Sequence, residues 1–204
     1  MDMKKILHDT LMLALITMVA GVALGAVYKI TKNPIARQEE LTKQKAYKAV
    51  FADASKFEED ENIDIEGSAA VLKQGGISSS TIDGAVKALD ASGNVIGYVF
   101  NITDGNGYGG DISFSMGVTL DGTTTGVSLL TINETAGLGM KAKTTNWLDQ
   151  FQGKQVESFE SVKDGASADN EIDGISGASV TSKAIVTGVN AGLCFFRSIT
   201  EGGN

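Results

Sequence analysis

Residues 173–182, DGISGASVTS, gather one carboxylate, two glycines, an alanine and four hydroxyl side chains directly ahead of an apolar run. The hydroxyls belong to Ser176, Ser179, Thr181 and Ser182. Two kinds of chemistry suit such a stretch. A hydroxyl on Ser179 or Thr181 could cap a following helix, accepting a hydrogen bond from a backbone N–H that has no partner within the helix. The same free N–H groups, with the partial positive charge of a helix end, suit a phosphate, and Gly177 and Ala178 are small enough to let one approach. A phosphate loop built for nucleotide hydrolysis carries its lysine inside the loop. Here the first lysine is Lys183, beyond the turn, so hydrolysis is not expected.

Other chemistries are excluded by what the chain lacks. Cys194 is its single cysteine and His8 its single histidine. A protein-ligated iron–sulfur cluster or a structural zinc site needs several such ligands, and a Ser-His-Asp or Cys-His triad needs a histidine away from the mouth of an apolar run. Cys194 lies in an apolar helical pattern and reads as a small core residue. Asp104, Asn106 and Asp111 have some of the look of a calcium loop but lack the bidentate glutamate that ends one, so they read as a turn. Redox chemistry would therefore require an organic cofactor. From Glu58 onward the chain holds 8 Lys and Arg against 20 Asp and Glu, whereas residues 1–57 hold 9 against 5. Such an acidic body would repel a phosphate backbone, so no nucleic-acid partner is expected.

The elements that must position the hydroxyl turn follow from periodicity. Thr10 to Tyr28 is a run of 19 residues without a charge, about the length that spans the hydrocarbon layer as a helix. Its length and the Lys29, Lys32 and Arg37 that follow favour an uncleaved transmembrane helix over a cleaved leader. Lysines flank both ends, so charge does not fix the orientation. Pro34 is expected to end this segment, and residues 36–51 then form a helix leading to the body, with 58–67 an acidic loop. From residue 69 to 135 the pattern changes to strands: 84–90, 95–103, 111–120 and 127–135, joined by short turns into a meander. Ile112, Phe114, Met116 and Val118 alternate as in a half-buried antiparallel strand. Residues 144–151 form a short helix, and Ile185, Val189, Leu193 and Phe196 mark one face of a helix over 183–199. The expected fold is α+β, a curved antiparallel sheet with packed helices, preceded by one N-terminal transmembrane helix. The expected domains are an anchor (1–33), a juxtamembrane helix and acidic loop (34–67) and the globular domain (68–204).

Three segments in order carry a family resemblance. Asp173 to Thr181 resembles the flavinylation motif Asp-x-x-Ser/Thr-Gly-Ala-Ser/Thr-x-Ser/Thr. Tyr108-Gly109-Gly110 before one strand and Glu134-Thr135-Ala136-Gly137-Leu138-Gly139 after another resemble segments of the FMN-binding domain. With the N-terminal span, nearly the whole chain resembles the RnfG component of the Rnf complex and, more distantly, the NqrC component of the sodium-pumping NADH:quinone reductase. The resemblance implies FMN joined by a phosphoester to a hydroxyl side chain, put there by a flavin transferase. Ser179, which follows Gly-Ala where the family usually has threonine, is the preferred acceptor, and Thr181 is the alternative. Asp173 resembles the acid the transferase requires. Ser176, Gly177 and Ala178 would shape the phosphate turn, and Glu134, Thr135, Gly137, Leu138 and Gly139 would face the isoalloxazine. Trp147 is either a core residue or a neighbour of the ring.

The implied function is electron relay as a subunit of an ion-translocating ferredoxin:NAD+ oxidoreductase, with the other membrane subunits as partners and the soluble domain on the extracytoplasmic side. No catalytic residue or metal ligand is assigned. The alternatives are a non-redox, membrane-anchored binding or assembly domain, or a flavinylated member of another extracytoplasmic electron-transfer chain. If the N-terminal run is an uncleaved anchor, mature chains should retain Met1 or Asp2. Intact mass or N-terminal sequencing checks this, and a new terminus near Ala26 would show a cleaved leader instead.

Overall fold

The computed structural model describes residues 3–60, 62–163 and 165–201, so Met1 and Asp2 lie outside the described residues. The chain forms two compact units, Met1–Thr42 and Lys43–Asn204. In the first, helix α1 (Met3–Val50) provides all of the described structure. Its most apolar window has a mean hydropathy of 2.3, and none of that window is buried. Leu7, Leu11 and Leu24 all stand exposed, a surface suited to an apolar medium. The helix is long and apolar enough to cross a membrane. It also runs straight through Pro34, where an end was expected. A proline forfeits one backbone hydrogen bond and costs about 3 kcal/mol in a helix interior. Good helix formers after it, from Ala36 to Lys48, keep that loss local.

The second unit is built on a five-stranded antiparallel sheet in the order β1-β2-β3-β4-β5. The strands are β1 (Lys56–Glu59), β2 (Ser80–Leu89), β3 (Val95–Asp104), β4 (Ile112–Thr119) and β5 (Thr124–Thr131). The last four make the expected meander. Between β2 and β3 the Asp90 carboxylate accepts backbone N–H groups from Ser92 at 2.8 Å and Asn94 at 2.9 Å, the side-chain bonds that favour aspartate in turns. Two elements depart from expectation. Part of the acidic segment read as loop is β1, whose Phe57 pairs with Ala88 of β2. Its charges sit on an edge strand, where they discourage further pairing. Residues Ser68–Gln74, at the start of the region expected to be strand, form helix α2, anchored by buried Leu72.

Strand β4 is buried on both faces rather than one. Ile112, Phe114, Met116 and Val118 are fully buried in the main core. On the opposite face Ser115 donates to Asn101 Oδ1 at 2.7 Å, and Asn101 Nδ2 donates to the Tyr47 hydroxyl at 2.6 Å. Tyr47, Val50 and Phe51 pack there on Val86, Ala88 and Val99. Alternation within β4 reports only its own side chains; the second cover comes from residues some 70 positions earlier.

After β5 come the short helix α3 (Lys141–Thr144), a 3-10 turn (Asn146–Phe151), a parallel pair β6 (Glu160–Val162) and β7 (Glu171–Asp173), and helix α4 (Ser179–Glu201). Helix α4 begins at Ser179, a turn earlier than expected. Its expected face is buried throughout, from Ile185 and Val189 to Leu193 and Phe196. Each such side chain is worth about 1.5–3 kcal/mol when removed from water. Gly188 and Gly192, one turn apart on α4, let the helix approach β3 and β4 closely: a Cβ would lie 2.7 Å from Phe114 Cζ at Gly188 and 2.2 Å from Met116 Sδ at Gly192. A thioether can turn aside, whereas a fully buried ring has nowhere to go. Alanine gains about 0.5–1 kcal/mol of helix propensity over glycine, against about 1–3 kcal/mol for overpacking. Gly188→Ala should therefore destabilise the chain by about 1–2 kcal/mol and Gly192→Ala by less, as measured by denaturant unfolding of the detergent-solubilised chain.

Candidate functional site

Two turns, far apart in sequence, face each other at the N-terminal end of α4. The first follows β5. The Thr135 carbonyl accepts the N–H groups of Leu138 at 3.1 Å and Met140 at 3.2 Å, closing the turn. Glu134 Oε1 accepts the Gly109 N–H at 3.3 Å and so ties the Tyr108-Gly109-Gly110 segment to this turn.

The second turn runs from the end of β7 into α4. Its entry is held from several sides. The Asp173 carboxylate accepts the Ala166 N–H at 2.8 Å, and Glu171 accepts those of Ser167 at 2.7 Å and Ala168 at 3.2 Å. The Ser167 and then the Ala168 N–H hold the Glu171 carboxyl below its ordinary range. A carboxyl depressed in this way stabilises the fold above the usual glutamate range and loses that contribution as pH falls through its folded value. Gln150 Oε1 accepts the Asp173 N–H at 2.8 Å, and Trp147 Nε1 donates to the Asp173 carbonyl. Trp147 also packs edge-on against Phe151, which places it with the core.

Neither Ser179 nor Thr181 fastens this turn as a cap. Ser182 does so: its hydroxyl accepts the Ile175 N–H at 2.8 Å and donates to the Ala178 carbonyl at 3.1 Å. Ser182 is buried, and a hydroxyl inside the turn satisfies it from within while leaving the outer hydroxyls unspent.

Between the two turns opens a cleft of about 410 Å³. The first turn contributes Glu134, Thr135, Leu138 and Gly139; the second contributes Gly177, Ala178, Ser179 and Thr181. Tyr108 and Val180 complete the lining, and with Leu138 they form an exposed apolar rim. Of the other residues expected in the site, Gly137 shapes the first turn at φ +77° and Ser176 lines a neighbouring cleft. The Asp173 carboxylate holds the loop at Ala166. Asp104 accepts hydrogen bonds from Ser79, Ser80 and the Asn106 N–H, as a turn residue does.

The two candidate acceptors differ sharply. Ser179 is exposed, whereas Thr181 is 1% exposed and its hydroxyl has no hydrogen-bond partner. A buried hydroxyl without a partner costs about 1–3 kcal/mol, so its place beside a cleft points to a ligand atom as its missing partner. Gly139 provides the room: a Cβ there would lie 2.5 Å from Thr181 Oγ1. An apolar rim, an orphan hydroxyl and the N–H groups of a helix start fit a flavin ring joined to a phosphate.

Residues 107–193 match the FMN-binding domain, and residues 1–50 match the RnfG N-terminal region. The G component of the Na+-translocating ferredoxin:NAD+ oxidoreductase complex of Acetobacterium woodii is 31% identical over 202 residues, covering 98% of this chain and 96% of that relative. The chain belongs to the RnfG family. The corresponding G component of the proton-translocating complex of Clostridium ljungdahlii is 29% identical, with 98% and 97% covered. NqrC of Shewanella oneidensis shares the fold, with a TM-score of 0.51 at 18% identity over 76% of this chain and 88% of that one.

In this RnfG-family chain the FMN-binding match opens one residue before Tyr108 and closes inside α4, so it contains every residue that lines the cleft. Two lining residues, Tyr108 and Val180, were not expected against the ring. Tyr108 was legible as part of Tyr-Gly-Gly, but Val180 had no signal beyond its place between two hydroxyls. If Gly139 keeps the cleft open, Gly139→Ala should weaken noncovalent FMN binding about tenfold, because overpacking of about 1–3 kcal/mol would push aside Thr181 and Glu134, two residues of the cleft wall. Fluorescence titration of chain made without a flavin transferase checks this, with circular dichroism unchanged.

Proposed function

We propose that this chain is a membrane-anchored electron carrier with FMN joined through its phosphate to Ser179, working among the membrane subunits of an ion-translocating ferredoxin:NAD+ oxidoreductase. The observation that carries the reading is the contrast at the start of α4: an exposed Ser179 at the cleft mouth and, two residues on, a buried Thr181 whose hydroxyl lacks a partner. Support also comes from the FMN-binding match and from relatives named as subunits of such complexes. When bound, a flavin accepts and releases electrons singly or in pairs, which is the chemistry a relay needs.

The residues divide the work. Ser179 Oγ bonds to the FMN phosphorus of a flavin dinucleotide held by a flavin transferase; the P–O bond to the departing nucleoside monophosphate breaks, and the hydroxyl proton is lost. An exposed hydroxyl can enter a second protein's active site, whereas Thr181 would have to leave the fold to do so. Thr181 instead offers its proton to a ligand oxygen inside the cleft. Tyr108, Leu138 and Val180 give the ring an apolar seat. Residues Thr10–Tyr28 anchor the chain, and the body lies on the extracytoplasmic side, where attachment prevents loss of the cofactor.

Ser179→Ala should abolish the flavin mass increment, and the in-gel fluorescence that survives denaturing electrophoresis, in chain made with its transferase. The fold should persist, since Ser182 fastens the turn. Thr181→Ala should keep the covalent increment. Intact mass checks both: the reverse pattern would move the acceptor to Thr181, and full labelling of the double variant would remove the site.

A further inference from the structure

A second cleft, of about 420 Å³, lies on the other side of the same turn. It shares Gly177 and Ser179 with the first. Its character differs. The first cleft sets Tyr108, Leu138 and Val180 beside the Glu134 carboxylate; the second has Val162 and Ile175 but no carboxylate, and sets Lys163 and Lys183 beside Ser161 and Ser176. Two of the 8 cationic side chains beyond Glu58 therefore line one cleft of a body that carries 20 carboxylates. Among the described residues that line it, none is acidic. By contrast Lys87 and Lys154, elsewhere in the body, each pair with an aspartate.

Helix geometry connects the lysines to the acceptor. Lys183 is four residues after Ser179 on α4, and side chains four apart lie on one helical face about one turn from each other. Lys163 directly follows β6, whose Val162 carbonyl accepts the Gly174 N–H at 2.7 Å and so holds that strand end against the motif. A phosphate esterified to a serine and to a ribityl chain keeps one negative charge. The N–H groups at the start of α4 favour that charge from one direction, and two ammonium groups beside two serine hydroxyls favour it from another.

We propose that the Lys163–Lys183 cleft is the phosphate subsite, so that a flavin nucleotide straddles Ser179 with its ring in the Tyr108–Leu138 cleft and its phosphate charge against the two lysines. The assignment rests on the reading that Ser179 carries FMN, and it adds the residues that orient the nucleotide. It also accounts for the position of Ser179, which is shared by the cleft with Tyr108 and Leu138 and the cleft with the two lysines.

The test uses the full Ser179→Ala chain in detergent, which forms no ester at that position, and compares its affinity for FMN with that for riboflavin by fluorescence quenching. The two ligands differ only in the phosphate. FMN should bind about three- to tenfold more tightly at low salt, the range expected of two exposed charge pairs, and the difference should shrink as salt screens it. Adding Lys163→Gln and Lys183→Gln should remove the difference while leaving riboflavin affinity and circular dichroism unchanged. Equal affinities in the parent chain, no FMN binding at millimolar concentration, or a preference for FMN that survives both lysine substitutions would overturn the proposal. Failure of the underlying reading shows separately, as a flavin mass increment in Ser179→Ala chain made with the transferase.

Discussion

The close approach of helix α4 to the sheet is the constraint on which the rest of this structure depends. Gly188 and Gly192 remove the side chains that would hold the helix off Phe114 and Met116, and Ile185, Val189 and Leu193 fill the space on either side. With the helix axis fixed in this way, its first turn comes to lie against the turn that follows β5. Gly139 and Thr181 meet there at a distance no larger residue at 139 would allow. The cleft is thus a consequence of core packing: its two walls come from a meander and a terminal helix that have no local reason to adjoin.

Polar groups around the cleft divide into those spent on holding the fold and those that make no such bond. Asp173, Glu171, Gln150 and Ser182 all use their hydrogen-bonding capacity on backbone groups of the motif and its entry loop. These bonds hold the turn and its entry loop from several sides. Ser179 and Thr181 are left over, one in solvent and one buried. Such a division separates three of the four hydroxyls in this turn: their chemistry is alike, but the packing around each is not. The second cleft beside Ser179 adds a charge difference across the same turn, with the Glu134 carboxylate on one side and Lys163 and Lys183 on the other.

A good part of this protein was legible because it is local. The uncharged run from Thr10 to Tyr28, the alternation of Ile112, Phe114, Met116 and Val118, and the one-face spacing from Ile185 to Phe196 are each patterns within one element. The three motifs named a family for the same reason, since each is a short string. Elements whose residues contradict their own surroundings were missed. Strand β1 is charged because it is an edge, helix α2 is too short to show a period, and Pro34 lies inside a helix whose other residues outvote it. The second cover on β4 was invisible from the strand itself, because it is supplied by Tyr47, Val50 and Phe51.

From composition and order alone came the expectation of no metal or triad chemistry, the long apolar N-terminal run, the meander and the candidate hydroxyls. Only the tertiary structure separated those hydroxyls by exposure. Successive helical residues are turned by about 100°, so Ser179 and Thr181 project roughly 200° apart. Which of the two meets solvent depends on how the helix is rotated against its neighbours, and that rotation is set by Phe114, Met116 and Gly139. Contacts between residues dozens of positions apart leave no trace in a ten-residue motif. The same holds for Lys163 and Lys183, which come from the end of β6 and from α4 and become one cationic surface only when the chain is folded.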